Sequence, residues 1–125
     1  MKILHTCLNV ANLDRSIEFY RNQIGLRFVR RREVKQNHAE IAFLEDEDGA
    51  TLELTHWRDK KELKEGDNFD HIAFAADDVS ATVEALKAHG VVIAMEPYSL
   101  EGSTSRIAFI KDPDGNWLEL IQVKS

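Results

Sequence analysis

One cysteine in 125 residues leaves no partner for an internal disulfide, a usage that fits a reducing compartment. Two prolines and six glycines are too few for a collagen-like or linker-rich polymer. Long apolar runs are missing as well. Val91–Met95 is among the longest, whereas about 20 apolar residues are needed to cross a bilayer as a helix. His5, Asn9 and Asn12 interrupt the stretch that an N-terminal secretion signal would need. Basic charge is also short: 16 Lys and Arg face 22 Asp and Glu, for a net charge of −6. Such a surface repels phosphate backbones, so nucleic acid is a poor partner. The expected location is the cytoplasm, with no membrane contact. What is present is globular. A composition of 43% hydrophobic and 30% charged residues argues against disorder and coiled coil. The length suits one ordinary domain, or two halves of about 60 residues that are each marginally stable alone.

The chain is written twice. Residues 41–54 read IAFLEDEDGATLEL and residues 107–120 read IAFIKDPDGNWLEL, identical at nine of fourteen positions with an offset of 66. Upstream, His5 maps onto His71, and Leu13, Ile17 and Tyr20 map onto Val79, Val83 and Leu86. Gly25 and Gly90 differ by 65, so one residue was gained or lost between the halves. A supersecondary unit of this kind, present twice, must be read before any fold is assigned.

Within each unit the pattern predicts βαβββ. Ile3–Val10 alternates like a strand. Asn12 is a suitable N-cap, and Leu13, Ile17, Tyr20 and Ile24 keep helical spacing until Gly25 stops the helix. Strands are expected at 26–34, 40–44 and 51–55, the last two joined by the turn Asp46-Glu47-Asp48-Gly49. The second unit is expected as strand 69–76, helix 79–89, a short strand 91–94, and strands 105–110 and 116–122 across Asp112-Pro113-Asp114-Gly115. Residues 96–104 read as a loop beside that hairpin, a candidate lid. The fold class is α+β: one domain, 1–125, of two modules, 1–56 and 69–125, joined by a charged linker 57–68.

Alternation assigns faces. Leu4, Thr6, Leu8 and Val10 share one side of the first strand, and His5, Cys7 and Asn9 the other. Leu52 and Leu54 oppose Glu53, and Leu118 and Leu120 oppose Glu119 and Trp117. The leucine faces must pack under the helices, which puts two histidines and two glutamates on the remaining faces. His5 to Glu53 is 48 residues, and so is His71 to Glu119. A glutamate flanked by leucines in mid-strand is costly to bury unless paired or metal-bound. Two imidazoles and two carboxylates suit a borderline divalent cation such as Ni²⁺, Co²⁺, Zn²⁺, Mn²⁺ or Fe²⁺. A polar face that merely meets solvent is the other reading of the same pattern. Cys7 is expected to be a small buried residue. His38, His56 and His89 lack counterparts at the repeat offset. Arg30-Arg31-Arg32 reads as a solvated strand.

The motifs His5-Thr6 with Leu8 and Val10, Ser16-Ile17, Phe19-Tyr20, Leu52-Glu53-Leu54-Thr55, Asp70-His71-Ile72-Ala73 and Asp112-Pro113-Asp114-Gly115 through Leu118-Glu119-Leu120 resemble glyoxalase I, the lactoylglutathione lyase of the vicinal oxygen chelate superfamily. The resemblance covers nearly the whole chain and implies paired βαβββ modules. It implies the metal ligands His5, Glu53, His71 and Glu119, with sites completed across a homodimer interface. It further implies Ni²⁺, with Co²⁺ or Zn²⁺ as alternatives, because the chain looks like the short bacterial form.

The implied reaction converts the small-molecule hemithioacetal of methylglyoxal and a thiol to an S-lactoyl thioester, moving a proton from C1 to C2 through an enediolate. Glu119 would be the principal base and Glu53 its counterpart across the substrate. The departures concern the thiol. Asn9 stands where the family's Leu-Arg-Val motif has arginine, Glu101 where a basic residue often sits, and Asp70 where a glycine precedes the histidine. Arg106 could compensate and Trp117 could wall the substrate, so Asn9, Arg106 and Trp117 are candidate substrate contacts. The thiol is glutathione or another low-molecular-weight thiol. Within the superfamily a methylmalonyl-CoA epimerase is an alternative, disfavoured because that family usually has Gln at the position of Glu53. A metal-free drug-binding protein of the same fold is the alternative from a different class.

Overall fold

The computed structural model describes residues 1–60, 62–64 and 66–123. Lys61 and Glu65 of the expected linker, and Lys124 and Ser125 at the end of the expected second module, lie outside the described residues. The chain divides into two compact units, residues 1–65 and 66–125.

The first unit contains β1 (Thr6–Asn9), α1 (Leu13–Glu18) continued by a π-helical segment (Phe19–Ile24), β2 (Arg27–Val34), β3 (Ala39–Glu45) and β4 (Thr51–Trp57). The second contains β5 (His71–Ala76), α2 (Val79–Ala88), β6 (Ile93–Ser99), β7 (Arg106–Lys111) and β8 (Trp117–Gln122). Each unit forms a four-stranded sheet of the same order, β1-β4-β3-β2 and β5-β8-β7-β6. The β1–β4 and β5–β8 pairs are parallel and the others antiparallel. The registers repeat as the sequence does: Phe43 faces Glu53 and Phe109 faces Glu119. This is the α+β fold of two βαβββ modules that the repeat predicts.

The cores follow the alternation. Leu8, Ala42, Leu44, Leu52 and Leu54 are buried in the first unit, where α1 packs on β3 and β4. Ala108, Ile110, Leu118 and Leu120 are buried in the second, where α2 packs on β6, β7 and β8. Each of these leucine and isoleucine side chains contributes roughly 1.5–3 kcal/mol relative to exposure. Both helices start as predicted. The Asn12 side chain accepts from the Arg15 N–H at 3.0 Å and that of Asp78 from the Ala81 N–H at 3.0 Å.

The odd residue in the first helix has a structural address. From cap to terminal glycine, Asn12 to Gly25 is one residue longer than Asp78 to Gly90. The longer helix absorbs the extra residue as the π-helical segment, while α2 is α-helical throughout. Insertion of one residue into a helix is accommodated in this way because the wider turn leaves the faces on either side in phase. Gly25 then closes the segment at φ +89°, where a Cβ would be strained.

Three expectations are corrected. The first strand is Thr6–Asn9 rather than 3–10: its partner β4 begins at Thr51, and with Thr6 facing Leu52 the residues before His5 run past the end of β4. Leu4, expected under the helix, is consequently exposed, as is Ile3. The second unit's first strand starts at His71 rather than 69, and Phe69 is exposed. The start of the expected lid, 96–99, is strand: β6 extends to Ser99 through Pro97, with a register shift between Met95 and Tyr98, and 100–104 remain outside any strand. Proline is tolerated there because β6 is a sheet edge. No helix of the described residues is long and apolar enough to cross a membrane.

Candidate functional site

In each unit one histidine lies against one glutamate. His5 Nε2 is 2.8 Å from Glu53 Oε2, and His71 Nε2 is 3.1 Å from Glu119 Oε1. The carboxylates are mostly buried, with side chains 15% and 16% exposed, while the imidazoles are 41% and 32% exposed. The strands explain this. Glu53 and Glu119 are central in β4 and β8, each flanked by a neighbour on both sides. The histidines stand at or just before the first residue of the parallel partner, where the chain opens to solvent.

The structure therefore brings the four predicted ligands together two by two. Among the described residues, no three His, Cys, Asp or Glu side chains converge on one point. The donor set fits a divalent ion nonetheless. Two ligand atoms about 2.1 Å from a common ion and at right angles stand about 3.0 Å apart, and the two observed spacings bracket that value. An ion on such a pair would replace the proton that imidazole and carboxylate otherwise share.

The electrostatics of the two pairs differ. His71 Nδ1 also lies 2.6 Å from Asp70 Oδ1. Both ring nitrogens thus face carboxylates, and the imidazole is held above its ordinary pKa, chiefly by the bond to Asp70 and further by the charge of Glu119. Asp70, which departs from the family's glycine, thereby forms the carboxylate–histidine arrangement that commonly orients metal ligands. Beside Glu53, the Thr55 hydroxyl is 3.4 Å from Oε1, and Cys7 Sγ is 3.2 Å from Thr55 Oγ1. Cys7 is exposed rather than buried as expected, because β1 is an edge strand whose outer face carries no helix. Its thiol is raised above the usual cysteine pKa by partial desolvation and, to a smaller degree, by the charge of Glu53, against the lowering effect of the Thr55 bond.

The remaining candidates divide. Trp117 shares the face of Glu119, its ring 5.4 Å from Phe109. Asn9 shares the face of Cys7 and accepts a 2.8 Å hydrogen bond from Trp57 Nε1. Arg106 has the strand parity of the buried Ala108 and Ile110, so it sits on the face away from Glu119 and donates to Pro97 O at 3.4 Å. The sequence reading missed two aromatic side chains. Phe43 meets His5 edge-on at 5.9 Å, and Phe109 meets His71 edge-on at 5.4 Å. Their signal was present, since both end the repeated Ile-Ala-Phe at the same offset as the ligands. Arg30 and Arg31 are engaged rather than merely solvated: the guanidinium of Arg30 lies 4.7 Å from the Phe43 centroid, and Arg31 bonds Asp14 and Glu40.

The sequence profile of the Glyoxalase/Bleomycin resistance protein/Dioxygenase superfamily matches residues 2–120. The chain belongs to this superfamily. Among its relatives are the lactoylglutathione lyases of Haemophilus influenzae, 41% identical over 128 residues covering 100% of this chain and 95% of that protein, and of Neisseria meningitidis serogroup A, 37% identical over 128 residues covering 100% and 93%. Superfamily members of known structure superpose closely. Glyoxalase I of Zea mays matches with a TM-score of 0.90 and 35% identity, covering 99% of this chain and 45% of the longer maize chain. The trypanothione-dependent glyoxalase I of Leishmania major matches with a TM-score of 0.82 and 33% identity, covering 98% and 86%.

Proposed function

We propose that this chain is a glyoxalase I, a lyase that detoxifies methylglyoxal by isomerising its thiol hemithioacetal to an S-lactoyl thioester. The observation that carries the reading is the repeat-related His–Glu pair in each unit, at 2.8 and 3.1 Å, in a chain whose full-length relatives are lactoylglutathione lyases. His5, Glu53, His71 and Glu119 hold one divalent metal ion per site. Two donors per unit are half of a usual set, and the resemblance to glyoxalase I implies that each site takes His5 and Glu53 from one chain and His71 and Glu119 from a second copy in a homodimer. Ni²⁺ would be the preferred ion, with Co²⁺ or Zn²⁺ as alternatives, because the chain resembles the short bacterial form of the family and a mixed imidazole and carboxylate set suits such borderline cations. The modules are 1–56 and 69–125, joined by 57–68, and the protein acts in the cytoplasm.

When bound, the metal supplies electrophilic stabilisation of negative charge developing on adjacent substrate oxygens. The protein's own groups do the rest. Glu119 takes the proton from C1 of the hemithioacetal and returns it at C2. Glu53 faces the substrate from the other side. The rings of Phe43 and Phe109 wall the imidazoles, and Trp117 lines the substrate space beside Glu119. The thiol is recognised without the family's arginine, because Asn9 takes that place and is bonded to Trp57. A thiol other than glutathione is therefore a real candidate, and the relative from Leishmania major uses one.

Metal-free protein reconstituted with Ni²⁺, Co²⁺ or Zn²⁺ and given methylglyoxal with glutathione, trypanothione or other thiols should form thioester with at least one pair. No thioester in any combination refutes the activity. Mixing inactive His5→Ala and His71→Ala chains tests the shared site. A mixed dimer regains one intact site if the pairs come from different chains and none if they come from the same chain.

A further inference from the structure

The two carboxylates of the proposed site are not held alike. Glu53 has a partner on each oxygen: Oε2 meets His5 Nε2 at 2.8 Å, and Oε1 meets the Thr55 hydroxyl at 3.4 Å. An ionised carboxylate only accepts, so the Thr55 proton points at Glu53. That leaves the hydroxyl oxygen to accept from the Cys7 thiol at 3.2 Å. The three groups form a one-way chain, Cys7 to Thr55 to Glu53, and Thr55 at its centre is only 4% exposed. Strand pairing keeps it in place, because Cys7 faces Glu53 across β1 and β4, and Asn9 faces Thr55.

The second unit has no such chain. At the repeat offset Thr55 becomes Ile121 and Cys7 becomes Ala73, and Ala73 faces Glu119 across β5 and β8 as Cys7 faces Glu53. Neither can donate. Among the described residues Glu119 keeps one side-chain partner, His71 at 3.1 Å, which is itself tied back by Asp70. Two half-sites of equivalent register thus differ in a property that matters for a proton carrier: how many hydrogen bonds a carboxylate gives up when it turns.

We propose that Thr55, oriented by Cys7, is a positioning residue that fixes Glu53 as a static ligand and so confines proton transfer to Glu119, the carboxylate with no hydroxyl to hold it. This rests on the glyoxalase reading above and adds the physical cause of the asymmetry between its two glutamates. Thr55 touches neither substrate nor metal. It acts only through Glu53.

The test has two readouts. Calorimetric titration of metal-free protein with Ni²⁺ should show Thr55→Val binding about tenfold more weakly than the parent, the low end for an orienting partner given the long 3.4 Å bond. Thr55→Ser, which keeps the hydroxyl, should restore parental affinity. The second readout is turnover in a Glu119→Gln background. Releasing Glu53 should let it serve as a substitute base, so Glu119→Gln with Thr55→Val should exceed Glu119→Gln alone by about tenfold, a gain that general damage to the fold cannot produce. If Thr55→Val proves poorly folded by circular dichroism, Cys7→Ala, which copies Ala73, reads the same chain with about a threefold loss of affinity. Equal Ni²⁺ affinity for Thr55→Val and Thr55→Ser, or no gain in the double variant, overturns the proposal while leaving the glyoxalase activity standing. If the parent forms no thioester with any thiol, the activity reading fails, and the Ni²⁺ titration alone decides whether Thr55 fixes Glu53.

Discussion

Replacing Asp70 by asparagine removes one charge beside His71 and keeps a hydrogen-bond acceptor in place. Two magnitudes compete for its effect. Orienting partners of metal ligands typically contribute 10–100-fold to affinity, whereas exposed ion pairs contribute about 0.2–1 kcal/mol, at most about fivefold. Exposure decides: the Asp70 side chain is 93% exposed and that of His71 32%, although they are 2.6 Å apart. Solvent screens this pair, so Asp70→Asn should weaken metal binding by about fivefold at most, less in high salt.

The loss should also depend on pH. Asp70 raises the affinity of His71 for a proton as it does for a metal ion. Below the folded pKa the metal-free state is protonated and profits from Asp70 as well, so the two gains largely cancel. The full loss should therefore appear near pH 8 and fade below about pH 6, given an ordinary histidine value near 6.5. Stability of the metal-free protein follows the same group. A raised folded pKa gives stability that is fully present below the unfolded value and is lost as pH rises through the folded one. Between pH 6 and 8 the parent should lose more urea resistance than Asp70→Asn, by no more than about 1 kcal/mol. Ni²⁺ titration at several pH values, with NMR titration of His71, checks both. A loss of 100-fold, or one independent of pH, would refute the screening argument.

Three further outcomes follow from the same geometry. Glu119→Gln keeps the shape and an acceptor oxygen, so it should retain part of the metal affinity yet lose turnover by about 10²–10⁴-fold; near-normal turnover would sink its role as base. Chelation of the metal should abolish thioester formation, and added Ni²⁺ should restore it, whereas activity that survives exhaustive chelation excludes the metal-dependent mechanism. Leu118→Ala, at a side chain with no exposure, should cost about 2–5 kcal/mol in urea unfolding, and a cost under about 1 kcal/mol would contradict the packing of α2 on β8.

Much of this was legible without coordinates. The 66-residue repeat implied two equivalent modules, and strand alternation placed His5, Cys7 and Asn9 apart from Leu8 and Val10. Glu53 and Glu119 were conspicuous because a carboxylate between leucines must have a partner. Where the reading erred, the missing information was nonlocal. Ile3 and Leu4 alternate like strand residues, but a strand ends where its partner ends, and β4 begins at Thr51. Pro97 reads as a loop residue, yet an edge position spares it the hydrogen bond it cannot donate. Cys7 reads as a buried small residue, and only the position of β1 at the sheet edge exposes it.

The sequence by itself determined the modules, the faces and the pairing of one His with one Glu in each half, because all three follow from periodicities of two, 3.6 and 66 residues. Tertiary structure decided what surrounds each carboxylate. Repeat symmetry makes Glu53 and Glu119 look interchangeable, but their neighbours differ: Thr55 on the same strand and Cys7 on the adjacent one in the first unit, Ile121 and Ala73 in the second. The residue identities stand in the sequence, but only the register of β1 on β4 sets Cys7 opposite Glu53 and within reach of Thr55, and register exists only once the sheet has formed.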